Sequence, residues 1–219
     1  MKHVLSAIAV ATVLGAGAAH ADQAMDAGIA AIAKAWDHAQ FEMTQKDEKI
    51  AAFHRIEADA ESLAKKYPRQ AEPMVWDAIT ISSEAGAVGG LGALGKVTQA
   101  RDIFEAAEKI NANALGDGSI YTSLGSLYYQ VPGFPLGFGN KDRARSYLQR
   151  ALALNPSGIE PNYFMADFLV QQGDYAHAVE ALNRALAAPP RPGREVADQG
   201  RRRDAAALLA QAEKKLHQS

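Results

Sequence analysis

The chain has 219 residues with 23 basic and 25 acidic side chains, a formal net charge of −2, and no cysteine. Disulfides, thiolate metal centres, a cysteine nucleophile and a lipid-modified cysteine are excluded by that composition. So near-balanced a charge gives no general attraction for nucleic acid or an anionic membrane surface.

Met1-Lys2-His3 is a short basic start, and Val4 to Ala19 is an uncharged run. Ala19-His20-Ala21 supplies small residues at the spacing a signal peptidase accepts, so residues 1–21 are expected to be a signal peptide with Asp22 as the mature start. No later stretch approaches the ~20 apolar residues a membrane span needs. The sequence thus predicts an exported, periplasmic protein without a transmembrane segment once the signal is removed.

Residues 22–68 contain two helical patterns with apolar positions at 3.6-residue spacing. One carries Ile29, Ile32, Trp36 and Met43, the other Ile50, Phe53, Ala60, Leu63 and Tyr67 before Pro68. They read as a degenerate first repeat. Over 70–110, Trp76, Ile79 and Thr80 open a unit that Gly95, Ala100, Phe104 and Ala107 close. Over 119–156, Tyr121, Leu124, Gly125 and Tyr128 are followed by Gly139, Ala144, Leu148, Ala151 and Pro156. The unit at 159–190 repeats this with Asn162, Met165, Ala166 and Leu169, then Gly173, Ala178, Leu182, Ala185 and Pro190. Gly139/Gly173, Ala144/Ala178, Leu148/Leu182, Ala151/Ala185 and Pro156/Pro190 are each 34 residues apart. Small residues at fixed offsets let neighbouring helices approach, large ones fill the groove between them, and proline ends each unit. This spacing is similar to that of the tetratricopeptide repeat (TPR) family. The expected fold is all-α, a TPR-like solenoid of three to four helix pairs, with Gly200, Ala205, Leu209 and Ala212 on a capping helix over 195–217.

Two units carry insertions before the turn glycine, eleven residues at Glu84–Leu94 and ten at Tyr129–Phe138. Both are rich in glycine and apolar residues where loops are ordinarily polar. The stretch LGSLYYQVPGFPLGFGNKDRARSYLQRALALNP (Leu124–Pro156) and the tail PPRPGREVADQGRRRDAAALLAQA resemble the periplasmic TPR component associated with TRAP-type transporters. That resemblance implies an α-solenoid with a concave face or channel for a hydrophobic ligand, working beside a periplasmic substrate-binding protein or transporter subunit. It departs from lipoprotein members in having no lipobox cysteine.

Gly90-Leu-Gly-Ala-Leu-Gly95 matches the dinucleotide fingerprint, but it lies between helices rather than after a strand and reads as an apolar loop. His38, His54, His177 and His217 show no metal-ligand spacing, although His38 and Glu42 share a helix face. No nucleophile–base pattern stands out, so neither catalysis nor a cofactor is expected. The repeat frame places Met74, Asp77, Ile81, Thr122, Ser126, Tyr129, Glu160, Tyr163 and Asp167 on the concave face, with Phe164 adjacent. It finds there none of the Lys, Arg or Asn that peptide-gripping repeats use. With Phe134, Leu136 and Phe138 on the second insertion, these residues predict a site for a hydrophobic or amphipathic small molecule: a lipid, sterol or organic acid. The alternative is an adaptor using the same groove for a partner protein. Arg201, Arg202 and Arg203 are a candidate docking patch for an acidic partner.

Overall fold

The computed structural model describes residues 13–218, with side chains from Asp22 onward. Residues 1–12 of the expected signal segment lie outside the described residues. Every regular element among the described residues is helical: α1 Val13–Phe41, α2 Lys46–Lys66, α3 Ala71–Val88, α4 Leu94–Ile110, α5 Ser119–Gln130, α6 Lys141–Leu154, α7 Ile159–Gln171, α8 Tyr175–Leu186 and α9 Glu195–Leu216. Each helix packs on its neighbour in the chain, and α3, α5 and α7 line the concave side. No helix among the described residues is long and apolar enough to cross a membrane.

Local chemistry explains where the helices start. The Asn140 side chain caps α6 by accepting from the Arg143 backbone N–H at 2.9 Å, and Asp174 caps α8 through the His177 backbone N–H. Pro73 and Pro161 stand in the first turns of α3 and α7, where no intrahelical donor is lost. Gly173 takes a positive φ of 77° between α7 and α8, a conformation costly for other residues.

The repeat residues perform the packing that their spacing predicts. Ala144, Ala151, Ala178 and Ala185 are fully buried, as are the large plugs Phe104, Leu148 and Leu182. A Cβ on Gly125 would stand 2.7 Å from Leu148 Cγ, so α5 and α6 approach closely only because that residue is glycine. Asn162 replaces the usual aromatic and is also fully buried. Its amide donates to the carbonyls of Pro156 at 2.9 Å and Gly158 at 2.8 Å. Arg184 Nε in turn donates to its oxygen at 3.0 Å, leaving the polar group satisfied.

The two insertions fold differently. The first is mostly helix: α3 runs on to Val88, and a 3₁₀ turn at Leu91–Ala93 leads into α4. The second is a tight loop tied by bonds from Gly139 N–H to Pro132 O at 2.9 Å and Asn140 N–H to Tyr128 O at 2.7 Å. Phe138 turns inward, 5.3 Å from Tyr128 between ring centroids and 4.6 Å beneath the Arg101 guanidinium. Phe134 and Leu136 turn outward and are 94% and 61% exposed.

The solenoid also closes on itself. Arg194, just before α9, donates to both carboxylate oxygens of Asp37 on α1, at 2.8 and 2.7 Å. Phe41 at the end of α1 lies against Gly200, where an added Cβ would clash with its ring. Arg203 donates to the Phe41 carbonyl at 3.4 Å. The two ends of the chain thereby join around the concave face.

Candidate functional site

The concave face holds a half-open chamber of about 510 Å³. Each inner helix contributes one face. From α5 come Ser119, Thr122, Ser123, Ser126, Leu127 and Gln130, a stripe at three- and four-residue spacing that is mostly hydroxyl and amide. From α7 come Glu160, Tyr163, Phe164 and Asp167; from α3, Trp76, Ile79, Ser82, Ser83 and Ala87. Trp36 and Gln40 of α1 and Lys49 and Phe53 of α2 complete one end, where Arg191, Arg194 and Arg201 also enter.

The aromatic end is ordered by its own contacts. Trp36 and Trp76 meet edge-on with centroids 6.1 Å apart, and Trp36 Nε1 donates to Ser83 Oγ at 2.8 Å. Arg194 lies 5.1 Å over Trp76 while it holds Asp37. Arg201 is buried among Phe41, Tyr163 and Phe164, and it bonds Glu160 at 2.8 Å and Asp204 at 3.1 Å. Burial works against the Arg201 charge, but Glu160, Tyr163 and Asp204 outweigh that cost and hold its pKa above the usual guanidinium value. Arg191 is similarly engaged by Asp198 at 2.7 Å and Glu160 at 3.4 Å. These arginines are structural cations with carboxylate partners.

Other polar groups in the wall are less occupied. Thr122 is only 4% exposed, and its hydroxyl has no hydrogen-bond partner. Lys49 donates to the Gln40 carbonyl at 2.7 Å. Burial lowers its pKa, and the field of Asp204 offsets this in part. Tyr129 stands just behind the wall and donates to Asp167 Oδ2 at 2.6 Å. Its own pKa is pushed well up by burial and by the Asp167 charge.

The sequence-derived residues divide by helix. Thr122, Ser126, Glu160, Tyr163, Phe164 and Asp167 are in the chamber wall. Met74, Asp77 and Ile81 are not; the inward face of α3 is set two residues later, at Trp76, Ile79 and Ser83. Trp76 looks like the signature aromatic of a repeat but points inward, and Ala78, Ile81 and Ala85 are the buried packing positions instead. Ile81 is therefore core, and Met74 packs against the same core. Asp77 turns toward α2, where burial first, and then the charges of Glu57 and Glu61, raise its pKa to about 7. Phe134, Leu136 and Phe138 lie outside the wall: the loop carries Phe134 and Leu136 to the outer edge and packs Phe138 against Tyr128. Arg201 is 6% exposed and so is not offered to an outside partner. Arg202 reaches the Ala188 carbonyl at 2.8 Å, and Arg203 is the exposed member of the three. Lys49, Trp36, Trp76 and Arg194 escape a sequence-based reading of the wall, since nothing local announces that the two ends of the chain meet.

His54, Glu57 and Glu84 bring potential metal-ligand atoms together between α2 and α3. Lys96 already sits against the two carboxylates, at 2.9 Å from Glu57 and 3.1 Å from Glu84. An ammonium there supplies the positive charge that a metal would.

Residues 136–198 match the family model described as Tetratricopeptide repeat. A thermophilic TPR protein from Thermus thermophilus is 17% identical, with 75% of this chain and 91% of that one covered and a TM-score of 0.54. MamA is 18% identical over 80% of this chain and 96% of its own, with a TM-score of 0.44. No curated protein matches the sequence. At such identities the likeness is one of fold, and the chain is an all-α, TPR-like solenoid whose residues 136–198 match the repeat model.

Proposed function

We propose that this chain is a periplasmic binding protein whose closed solenoid holds one compact amphipathic small molecule. The observation that carries the reading is a half-open cavity of about 510 Å³ on the concave face, to which residues from both ends of the chain, Trp36 and Gln40 of α1 and Arg194 and Arg201 at α9, contribute. Volumes of roughly 300–1,000 Å³ are those of small-molecule pockets. Aromatic and aliphatic groups together with the hydroxyl stripe of α5 favour a ligand with an apolar body and polar groups. A plain acyl chain or sterol would leave that stripe unpaired, so the organic-acid end of the expected ligand range is preferred. Work beside a transporter or an envelope trafficking system belongs to the same proposal and rests on the Leu124–Pro156 and tail sequences alone.

The chain contains two tryptophans, Trp36 and Trp76, and both line the chamber. Their emission therefore reports entry of a ligand directly. Titration with amphipathic acids should change that emission saturably, at micromolar to millimolar concentration. A flat response to the whole series, with calorimetry equally silent, defeats the reading. The second reading, an adaptor for a protein partner, is favoured by the repeat fold and by the exposed Phe134 and Leu136 on the outer edge. It predicts that a partner captured from periplasmic extract is lost on Phe134→Ser with the chamber intact.

A further inference from the structure

Four cationic side chains face the chamber, and they are not equivalent. Arg191 is bonded to Asp198 and Glu160, Arg194 to Asp37, and Arg201 to Glu160 and Asp204. Among the described residues Lys49 has no carboxylate within ion-pair distance; its one hydrogen bond goes to the Gln40 backbone carbonyl at 2.7 Å. Asp204 bears on it only at longer range and is itself committed to Arg201 at 3.1 Å. The acids of the wall are committed as well. Glu160 takes Arg191 and Arg201, Asp167 takes Tyr129 and Gln171, and Asp117 takes the backbone and hydroxyl of Ser119.

A second group, on α5, stands unpaired. The Thr122 hydroxyl is buried in the α5 face with no partner. Buried polar atoms are nearly always satisfied, and an exception calls for an absent partner. Trp36, Phe53, Trp76, Ile79 and Phe164 line the same cavity and offer apolar and ring surface.

We infer that the ligand is a monocarboxylic acid with an apolar, ring-bearing body and a further hydroxyl or carbonyl group. Its carboxylate is set against Lys49, and its second polar group is set against Thr122. This rests on the small-molecule reading above and adds the ligand's charge and the two residues that select it. A lone ammonium matches a single negative charge, whereas a dianionic phosphate ordinarily draws several donors or an unpaired arginine. The burial that lowers the Lys49 pKa is relieved once an anion sits beside it.

The test uses three probes that differ by one group each: 4-(4-hydroxyphenyl)butyrate, 4-phenylbutyrate and 4-phenylbutyramide. Binding to the full chain is read by tryptophan emission and by calorimetry. Phenylbutyrate should bind at least tenfold tighter than its amide. Lys49→Met should abolish that preference while leaving amide affinity within about twofold, and Lys49→Gln should repeat the result, with helical content by circular dichroism unchanged. The hydroxyphenyl acid should bind at least threefold tighter than phenylbutyrate, an advantage that Thr122→Val removes. Equal affinity for acid and amide in the unmodified protein overturns the inference and leaves the chamber reading standing. So does a preference that survives both Lys49 variants. Failure of all three probes to bind overturns the inference and the chamber reading together.

Discussion

Buried ionisable residues in this chain show what a single side chain does when its neighbours are already spoken for. Asp77 lies on α3 facing α2, with Glu57 and Glu61 adding to its burial, and its pKa stands at about 7 rather than at the ordinary 3.8. A raised carboxyl pKa means that the folded state holds a proton the unfolded state has released. The stabilising protonated form is complete below about pH 4 and is lost as pH rises through 7. Asp77→Asn should therefore flatten the stability profile between pH 4 and 8. At pH 8 it should raise stability by roughly 1–3 kcal/mol, the range expected for a shift of this size once partial solvent screening is allowed for. Urea denaturation at pH 5 and pH 8 measures the difference, and a variant with no gain at pH 8 contradicts the assignment. The same residue marks where sequence reasoning about the site stops. On α5 and α7 the 34-residue spacing fixes the frame, so Thr122, Ser126, Tyr163 and Asp167 can be placed in the wall from spacing, although Tyr129 from the same frame is not part of it. On α3 the frame hangs on Trp76, and its inward positions come out two residues early.

At the scale of elements, helix-to-helix approach depends on a few positions that have no side chain to spare. Ala151 on α6 is fully buried, with its carbonyl 3.1 Å from where a Cβ on Gly118 would stand. Ala151→Leu should cost ~1–3 kcal/mol by overpacking, whereas Ala206→Leu on the exposed side of α9 should fall within about 0.5 kcal/mol of the parent. Thermal or urea unfolding of the pair tests the register. Comparable losses at both positions, or none at either, contradict it. The second insertion obeys a different rule. A Cβ on Gly137 would stand 2.6 Å from Pro132 O, and one on Gly139 would collide with Val131 O, so the loop needs glycine to fold tightly and thereby turns Phe134 outward. Phe134→Ser should leave stability and chamber binding unchanged, and a tenfold loss of small-molecule affinity would show that the loop folds over the chamber mouth. The helices and repeat units are legible in the sequence because local periodicity encodes them. The direction of Phe134 is not, since it depends on backbone bonds such as Gly139 to Pro132 rather than on composition.

For the molecule as a whole, the decisive contact joins residues 157 positions apart, Asp37 and Arg194. Separation of that order leaves no periodic trace in a sequence, so the basic tail reads as a surface patch although its members tie the solenoid shut. The junction has three parts: a bidentate ion pair with Asp37 only 4% exposed, the Phe41 ring against Gly200, and the Arg194 guanidinium over Trp76. Breaking a buried pair from one side costs about 3–5 kcal/mol when the remaining charge stays buried. Arg194 keeps some access to water, its side chain being 21% exposed, so Asp37→Ala should cost less than that, about 2–4 kcal/mol. The loss should be concentrated at the junction and not spread over the repeats, because the core that runs from α3 to α9 does not include α1 and keeps its own contacts. Hydrogen exchange should accelerate in α1 and α9 while α5 and α6 stay protected, and native tryptophan emission should shift to the red as Trp36 and Trp76 meet water. Gly200→Leu attacks the same junction through Phe41 and should reproduce the pattern with the ion pair intact. If both variants leave the emission unchanged and the exchange rates of α1 and α9 where they were, the two ends are held by something other than this contact, and the chamber does not owe its closure to them.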